Sequence, residues 1–81
     1  MPANPDPEED AKLVLRVVAE QDMDGYLLAR KTGLDLDSLE KALRLLTSKG
    51  LLNVKGDIAG SRIFESWFQA APGALRRAQL L

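Results

Sequence analysis

At 81 residues this chain can build one domain around a single modest hydrophobic core. Hydrophobic residues make up 46% of it and charged residues 28%, which is typical of a globular protein and excludes an intrinsically disordered chain. The formal net charge is −1, and the chain contains neither Cys nor His. Disulfides, the usual zinc ligands and the commonest catalytic base are therefore missing, so we expect neither an enzyme nor a metal site.

Targeting and ligand-binding patterns are also missing from the sequence. No apolar run approaches the ~20 residues needed to cross a bilayer. The start, Met1-Pro2-Ala3-Asn4-Pro5, has neither the basic residues nor the apolar stretch of a signal peptide. Gly56 and Gly60 are not followed by the Lys-Ser/Thr pair of a phosphate-binding loop. We therefore expect a cytoplasmic protein with no membrane contact and no cofactor.

The first predicted element is a helix that begins at Asp6-Pro7 and ends near Gln21. Asp6 is placed to act as N-cap, Pro7 suits the first helical position, and the acidic residues that follow suit the positive end of the helix dipole. A capped helix is favoured over an acidic binding tail. One face is expected to be buried, because apolar residues recur at i, i+3, i+4 and i+7, namely Ala11, Val14, Leu15 and Val18.

A second, short helix is predicted from Gly25 to Thr32. Asp24 is its expected N-cap, and Gly33 supplies the left-handed residue that ends it.

The third predicted helix covers residues 35–49 and closes at Gly50. Asp35 is the preferred N-cap, while Asp37 with Glu40 forms a rival capping box two residues later. A buried stripe at helical spacing is formed by Leu39, Ala42, Leu43 and Leu46.

After Gly50 the hydrophobic period changes and predicts a two-stranded hairpin. One strand is expected over 51–55, a turn over 56–61 and a second strand over 62–68. In strand geometry the second strand would place Ile63, Glu65 and Trp67 on one face and Phe64, Ser66 and Phe68 on the other. Ala71-Pro72-Gly73 then breaks the chain before a helical stretch, 74–81.

The order of these elements and several local patterns resemble the winged helix-turn-helix domain of bacterial transcription regulators. The matching residues are Leu28-Ala29-Arg30-Lys31-Thr32-Gly33-Leu34, then Leu39, Leu43 and Leu46, then Lys49-Gly50-Leu51-Leu52. The resemblance covers about residues 13–68 and is shared by MarR-like, ArsR-like and PadR-like groups, so it assigns no subfamily. It implies an α+β, mainly α, fold with a three-helix core, a two-stranded β-wing and a short C-terminal helix.

The resemblance also implies binding to double-stranded DNA, with the third helix in the major groove and the wing on the backbone or in the minor groove. Carried over position by position, the outward face of that helix holds Asp37 and the base-reading candidates Ser38, Lys41 and Arg44. Arg44 is the side chain best suited to pair with guanine. The implied backbone contacts are Arg30, Lys31, Lys55 and Arg62.

The charge pattern of the third helix does not favour DNA throughout. Asp37 with Lys41, and Glu40 with Arg44, have the i, i+4 spacing of intrahelical salt bridges. A self-neutralised, solvated face is therefore as well supported as base readout. Residues 11–81 carry eleven bases and eight acids, a mildly basic balance that predicts weak DNA binding by a monomer and stronger binding by a dimer.

A second function, a protein-interaction module that does not bind DNA, is favoured by apolar residues outside the main stripes. The interface candidates are Leu45, Ile58, Trp67 and Leu75. Leu45 is better explained by packing under the C-terminal segment than by an exposed patch. Trp67 is equally compatible with an interface, including that of a homodimer, and with core packing against the first helix.

The expected domain organisation is a flexible N-terminus over residues 1–5, a winged helix-turn-helix domain over 6–70 and a C-terminal helix over 71–81. The last segment is amphipathic, with Leu75, Ala78 and Leu81 at i, i+3 and i+6. It can dock on the domain, pair with a second copy or continue into a longer protein, and these alternatives stay open.

Overall fold

The computed structural model describes residues 7–78 of the chain. Four α-helices are present, α1 (Pro7–Glu20), α2 (Gly25–Thr32), α3 (Leu36–Ser48) and α4 (Ala74–Ala78). They are accompanied by strands β1 (Met23–Asp24), β2 (Leu52–Lys55) and β3 (Trp67–Ala70) and by a 3-10 segment (Gly60–Glu65). The predicted flexible N-terminus over 1–5, the predicted N-cap Asp6 and the last three residues of the predicted C-terminal helix lie outside the described residues.

The ends of α2 and α3 follow the predicted capping chemistry. Oδ1 of Asp24 accepts the backbone N–H of Leu27 at 2.8 Å, and Oδ1 of Asp35 accepts the N–H of Ser38 at 2.7 Å. Asp35 is thus the N-cap of α3, and the rival capping box two residues later is not used. Gly33 ends α2 with a left-handed φ of 71°, a conformation that costs other residues energy.

The core lies between α1, α2, α3 and the inner face of the sheet. Every residue of the predicted stripes on the first and third helices is buried. The sheet and the 3-10 segment add further fully buried side chains, Met23, Ile63 and Phe68. Helix α1 packs mainly on α3, which fixes the position of α3 relative to the rest of the domain.

The sheet has three antiparallel strands in the order β1–β3–β2, where the sequence predicted only two. Met23 pairs with Phe68 and Asp24 with Trp67, so β1 forms only because β3 lies beside it. On the other side of β3, Lys55 pairs with Trp67. The molecule is therefore α+β and mainly helical, with a small antiparallel sheet. No helix within residues 7–78 has the length and apolar character needed to span a bilayer.

The prediction of a strand over residues 62–68 is wrong. Most of this stretch forms the 3-10 segment, and β3 begins only at Trp67. The alternation of faces predicted for it fails as well, because Ile63 and Ser66 are both buried while Phe64 and Trp67 are both exposed.

Three contacts explain why the segment is not extended. Gly25 has no Cβ, which lets the backbone carbonyl of Ile63 approach the first turn of α2. The hydroxyl of Ser66 accepts the N–H of Asp57 at 2.8 Å and donates to the carbonyl of Asp57, while the Gly25 N–H donates to the Ser66 carbonyl at 3.0 Å. The loop is thus folded back against α2 rather than extended as a hairpin.

Candidate functional site

The connection from α2 to α3 places α3 at the surface with one side fully turned to solvent. Only residues 33–35 separate the two helices, and the Thr32 hydroxyl closes the turn by accepting the N–H of Leu34 at 3.3 Å. The two helices are thus joined by a three-residue turn. The buried stripe of α3 faces α1, so its opposite side is available to a ligand.

The outward side of α3, here called the α3 face, consists of Asp37, Glu40, Lys41 and Arg44. Nζ of Lys41 lies 3.2 Å from Oδ2 of Asp37, and Nη2 of Arg44 lies 3.0 Å from Oε2 of Glu40. Both predicted i, i+4 ion pairs are therefore confirmed. The two basic side chains are 63% and 60% exposed, so neither is held away from solvent by its partner. Ser38 is 9% exposed and does not belong to this face, although it was a base-reading candidate.

Glu40 has a second partner that the spacing of charges does not predict. Its Oε1 accepts the backbone N–H of Gly60 at 3.3 Å, while its Oε2 holds Arg44. One carboxylate thus joins α3 to the start of the 3-10 segment. The side chain is 28% exposed, the least of the four ion-paired residues on the α3 face.

Asp35 at the start of α3 is stabilised in its charged form. The backbone N–H and the hydroxyl of Ser38 hydrogen-bond to its carboxylate, and Lys41 adds a favourable charge, so the pKa of Asp35 lies below its ordinary value. The first turn of α3 therefore keeps a negative charge.

The four backbone-contact candidates are all exposed but differ in their partners. Within residues 7–78 no carboxylate forms an ion pair with Arg30, Lys31 or Lys55. Arg62 lies in the 3-10 segment, where its Nη1 is 3.4 Å from Oδ2 of Asp57. The first three cations are therefore free to meet an external anion, and the fourth is shared with an internal one.

The predicted interface residues divide into two pairs. Leu45 and Ile58 are half-buried and pack against the core, and Leu45 lines a cleft of only ≈ 20 Å³ together with Ala78 of α4. Leu45 is therefore partly buried against the core rather than part of an exposed patch. Trp67 and Leu75 are 42% and 39% exposed, so Trp67 is not a core residue against α1.

A group of aromatic side chains forms a surface that the sequence did not predict. The ring centroids of Tyr26 and Phe64 are 6.3 Å apart at an interplanar angle of 64°, an edge-to-face pair. The guanidinium carbon of Arg30 lies 6.0 Å from the centroid of the Tyr26 ring. We call Tyr26, Phe64 and Trp67 the aromatic surface. Of its three members the sequence analysis singled out only Trp67, as an interface candidate.

Comparison of this chain with protein-family models, with curated proteins and with solved structures gave no match.

Proposed function

We propose that this chain is a winged helix-turn-helix domain that binds double-stranded DNA, with α3 in the major groove. The observation that carries the proposal is the α3 face, where Lys41 and Arg44 project into solvent from a helix presented by a three-residue turn. The order of helices and strands and the antiparallel sheet are compatible with this domain type.

Arg44 and Lys41 are assigned to the bases, since both stand on the outward side of α3 and can donate to guanine O6 and N7. Arg30, Lys31 and Lys55 are assigned to phosphates, because they are exposed and lack internal carboxylate partners among the described residues. Arg62 contributes from a compact 3-10 segment rather than from the second strand of a hairpin.

The two ion pairs of the α3 face do not prevent this role, but they reduce the affinity. Exposed i, i+4 pairs contribute only about 0.2–0.5 kcal/mol each, so a phosphate or a guanine can replace either carboxylate. The carboxylates of Asp37 and Glu40 nevertheless remain near the phosphates and repel them. A monomer should therefore bind weakly, and a dimer that engages two half-sites should bind more tightly.

The proposal is tested by fluorescence anisotropy of a labelled duplex of random sequence, titrated at about 50 mM and about 200 mM salt. We expect micromolar binding at the lower salt concentration and a marked loss at the higher one. Selection from a random duplex library then yields a preferred site. Arg44→Ala should weaken binding to that site more than to random DNA, whereas Lys31→Ala should weaken both equally.

The matched control is Arg16→Ala, which removes one exposed positive charge from α1, on an element outside the assigned contacts. Its affinity should stay within about twofold of the wild type. No binding at low salt by a chain with a folded circular dichroism spectrum would refute the proposal. Equal losses for the variants at Arg16 and Arg44 would refute the assignment of α3.

A further inference from the structure

Three of the four aromatic residues of this chain lie on its surface. Tyr26 is 59% exposed, Trp67 42% and Phe64 36%, whereas only Phe68 is buried in the core. Tyr and Trp, together with Arg, are the residues most enriched at the energetic centres of protein interfaces. Their exposure is unexpected in a chain this small, where large side chains are the main source of buried apolar area.

The fold gathers these rings from distant parts of the sequence into one region. The 3-10 segment carries Phe64 to the first turn of α2, where its ring meets Tyr26. Trp67 follows three residues later, so its Cα is at most about 11 Å from the Cα of Phe64. Its strand partners are Asp24, which precedes α2, and Lys55, so the indole shares a sheet face with both.

We propose that the aromatic surface binds a short acidic peptide segment of a partner protein, through an apolar anchor residue and flanking carboxylates. This function uses none of the residues of the α3 face, but it shares Arg30 and Lys55 with the residues assigned to DNA phosphates.

Two basic side chains beside the aromatic surface favour an acidic partner. Arg30 lies over the neighbouring tyrosine ring and Lys55 is the cross-strand neighbour of Trp67, and neither forms an ion pair within residues 7–78. Two acids are close by in the sequence. Asp24 already accepts a backbone N–H as the N-cap of α2, and Glu65 is exposed. Two unpaired cations thus stand beside the rings, and a peptide carboxylate can pair with each.

The size of the surface determines the kind of partner. With about 200 Å² for each aromatic side chain, the exposed fractions leave about 270 Å² of ring surface. A stable protein–protein interface needs about 800 Å² on each side, more than half of it apolar. A second copy of this chain would therefore be held poorly here, whereas a short segment with one apolar anchor matches the available area. A single nucleic acid strand is disfavoured by Glu65 and by the small number of cations.

The test begins with a random dodecapeptide phage library selected on the immobilised 81-residue chain and depleted on the Phe64→Ala variant. The most enriched Trp-free peptide is synthesised and titrated against the chain in solution. Trp67 is the only tryptophan, so a blue shift and reduced acrylamide quenching of its emission report binding at the surface itself.

We expect the selected peptides to contain Asp or Glu beside an apolar residue. Tyr26→Ala and Arg30→Glu should each raise the Kd for the synthetic peptide about tenfold or more. Glu65→Gln should lower it. The control Leu75→Ala removes an equally exposed apolar side chain from α4 and should change the Kd by less than about twofold. Circular dichroism confirms that each variant is folded.

Four results would overturn the proposal. The first is a library without enriched sequences, and the second is enrichment of basic peptides. The third is salt-sensitive quenching of Trp67 by oligo-dT without peptide binding, which would assign the surface to single-stranded nucleic acid. The fourth is a dimer in sedimentation that Trp67→Ala converts to monomers, which would assign the surface to a second copy.

Discussion

Replacement of Gly25 by alanine is the sharpest test of the packing that builds the aromatic surface. In a helix interior alanine is the better helix former by about 0.8–1 kcal/mol, which is an upper limit at Gly25, the first residue of α2, so helix propensity alone predicts a more stable protein. In the structure, a Cβ at Gly25 would overlap the carbonyl oxygen of Ile63 and lie 2.5 Å from its carbonyl carbon and 2.8 Å from its Cγ2. Helix propensity thus predicts that Gly25→Ala stabilises the protein, whereas packing predicts that it destabilises it.

The expected loss of stability depends on how far the backbone at Ile63 must move. The new methyl group can be accommodated only if the backbone at Ile63 shifts away from α2, which strains or exposes a side chain that is now fully buried. Overpacking of this kind costs about 1–3 kcal/mol, and loss of an Ile side chain from the core costs about 1.5–3 kcal/mol. The hydrogen bond from Gly25 N–H to Ser66 O adds about 0.5–1.5 kcal/mol. Taking either the overpacking or the exposure cost together with the hydrogen bond, and subtracting the propensity gain, we expect a net destabilisation of about 0.5–4 kcal/mol.

Urea unfolding followed by circular dichroism and Trp67 fluorescence measures this change. Gly50→Ala is the matched control, because Gly50 has a φ of 71° and no atom within 4 Å of an added Cβ. Its free energy of unfolding should fall by about 1–2 kcal/mol, the cost of the backbone strain alone. If Gly25→Ala is as stable as the wild type or more stable, the contact between α2 and the 3-10 segment does not hold the fold together as argued.

Two further predictions concern Ser66 and Asp35. Ser66→Ala should destabilise the chain by about 1–3 kcal/mol, because the hydroxyl of Ser66, a residue only 2% exposed, accepts the N–H of Asp57. Ser66→Thr keeps a hydroxyl and should retain this hydrogen bond. Equal unfolding midpoints for the wild type and the alanine variant would contradict this prediction. The lowered pKa of Asp35 contributes stability that is present above its ordinary value of 3.8 and is lost as the pH falls through the lower folded value. Asp35→Asn keeps a capping side chain but lacks the negative charge. Its urea midpoint should therefore lie furthest below that of the wild type at pH 6, and the difference should shrink below pH 4. A difference that does not change with pH would show that the charge of Asp35 is not its cause.

The features that could be predicted from the sequence are those set by neighbours three or four residues away. The N-cap of α3 involves only Asp35 and the N–H of Ser38, three residues later. The ion pair involves only Glu40 and Arg44, four residues apart on the same helix. The hydrophobic stripe of α3 is local in the same sense, so its buried face was found correctly. The α3 face therefore follows from the sequence in most of its detail.

The 3-10 segment could not be predicted in this way. It contains Ile63 and Phe64, and β-branched and aromatic side chains of this kind favour a strand. The missing Cβ of Gly25 allows a contact with Ile63, which is far away in the sequence, and the hydroxyl of Ser66 bonds to the backbone of Asp57, nine residues earlier. Neither contact can be inferred from the pattern of the segment itself. Because Phe64 reaches Tyr26 only through this segment, the aromatic surface was missed together with it.

Glu40 provides a way to separate the two proposed functions, because it contacts both Arg44 and the 3-10 segment. In Glu40→Gln the amide oxygen can still accept the Gly60 N–H, but the charge that holds Arg44 and repels phosphate is lost. DNA affinity should therefore rise at low salt, and its salt dependence should become steeper by up to about one phosphate contact. Binding of the acidic peptide should stay unchanged, since the aromatic surface is intact.

The comparison with Glu40→Ala makes this result interpretable. Alanine removes the acceptor for Gly60 as well as the charge, so peptide binding should also weaken if Glu40 helps to hold the 3-10 segment in place. Anisotropy with duplex DNA and Trp67 fluorescence with the peptide measure the two affinities on the same samples. If Glu40→Gln binds DNA more weakly than the wild type, the carboxylate positions Arg44 for the bases, and the ion pair of the α3 face is part of recognition rather than an obstacle to it.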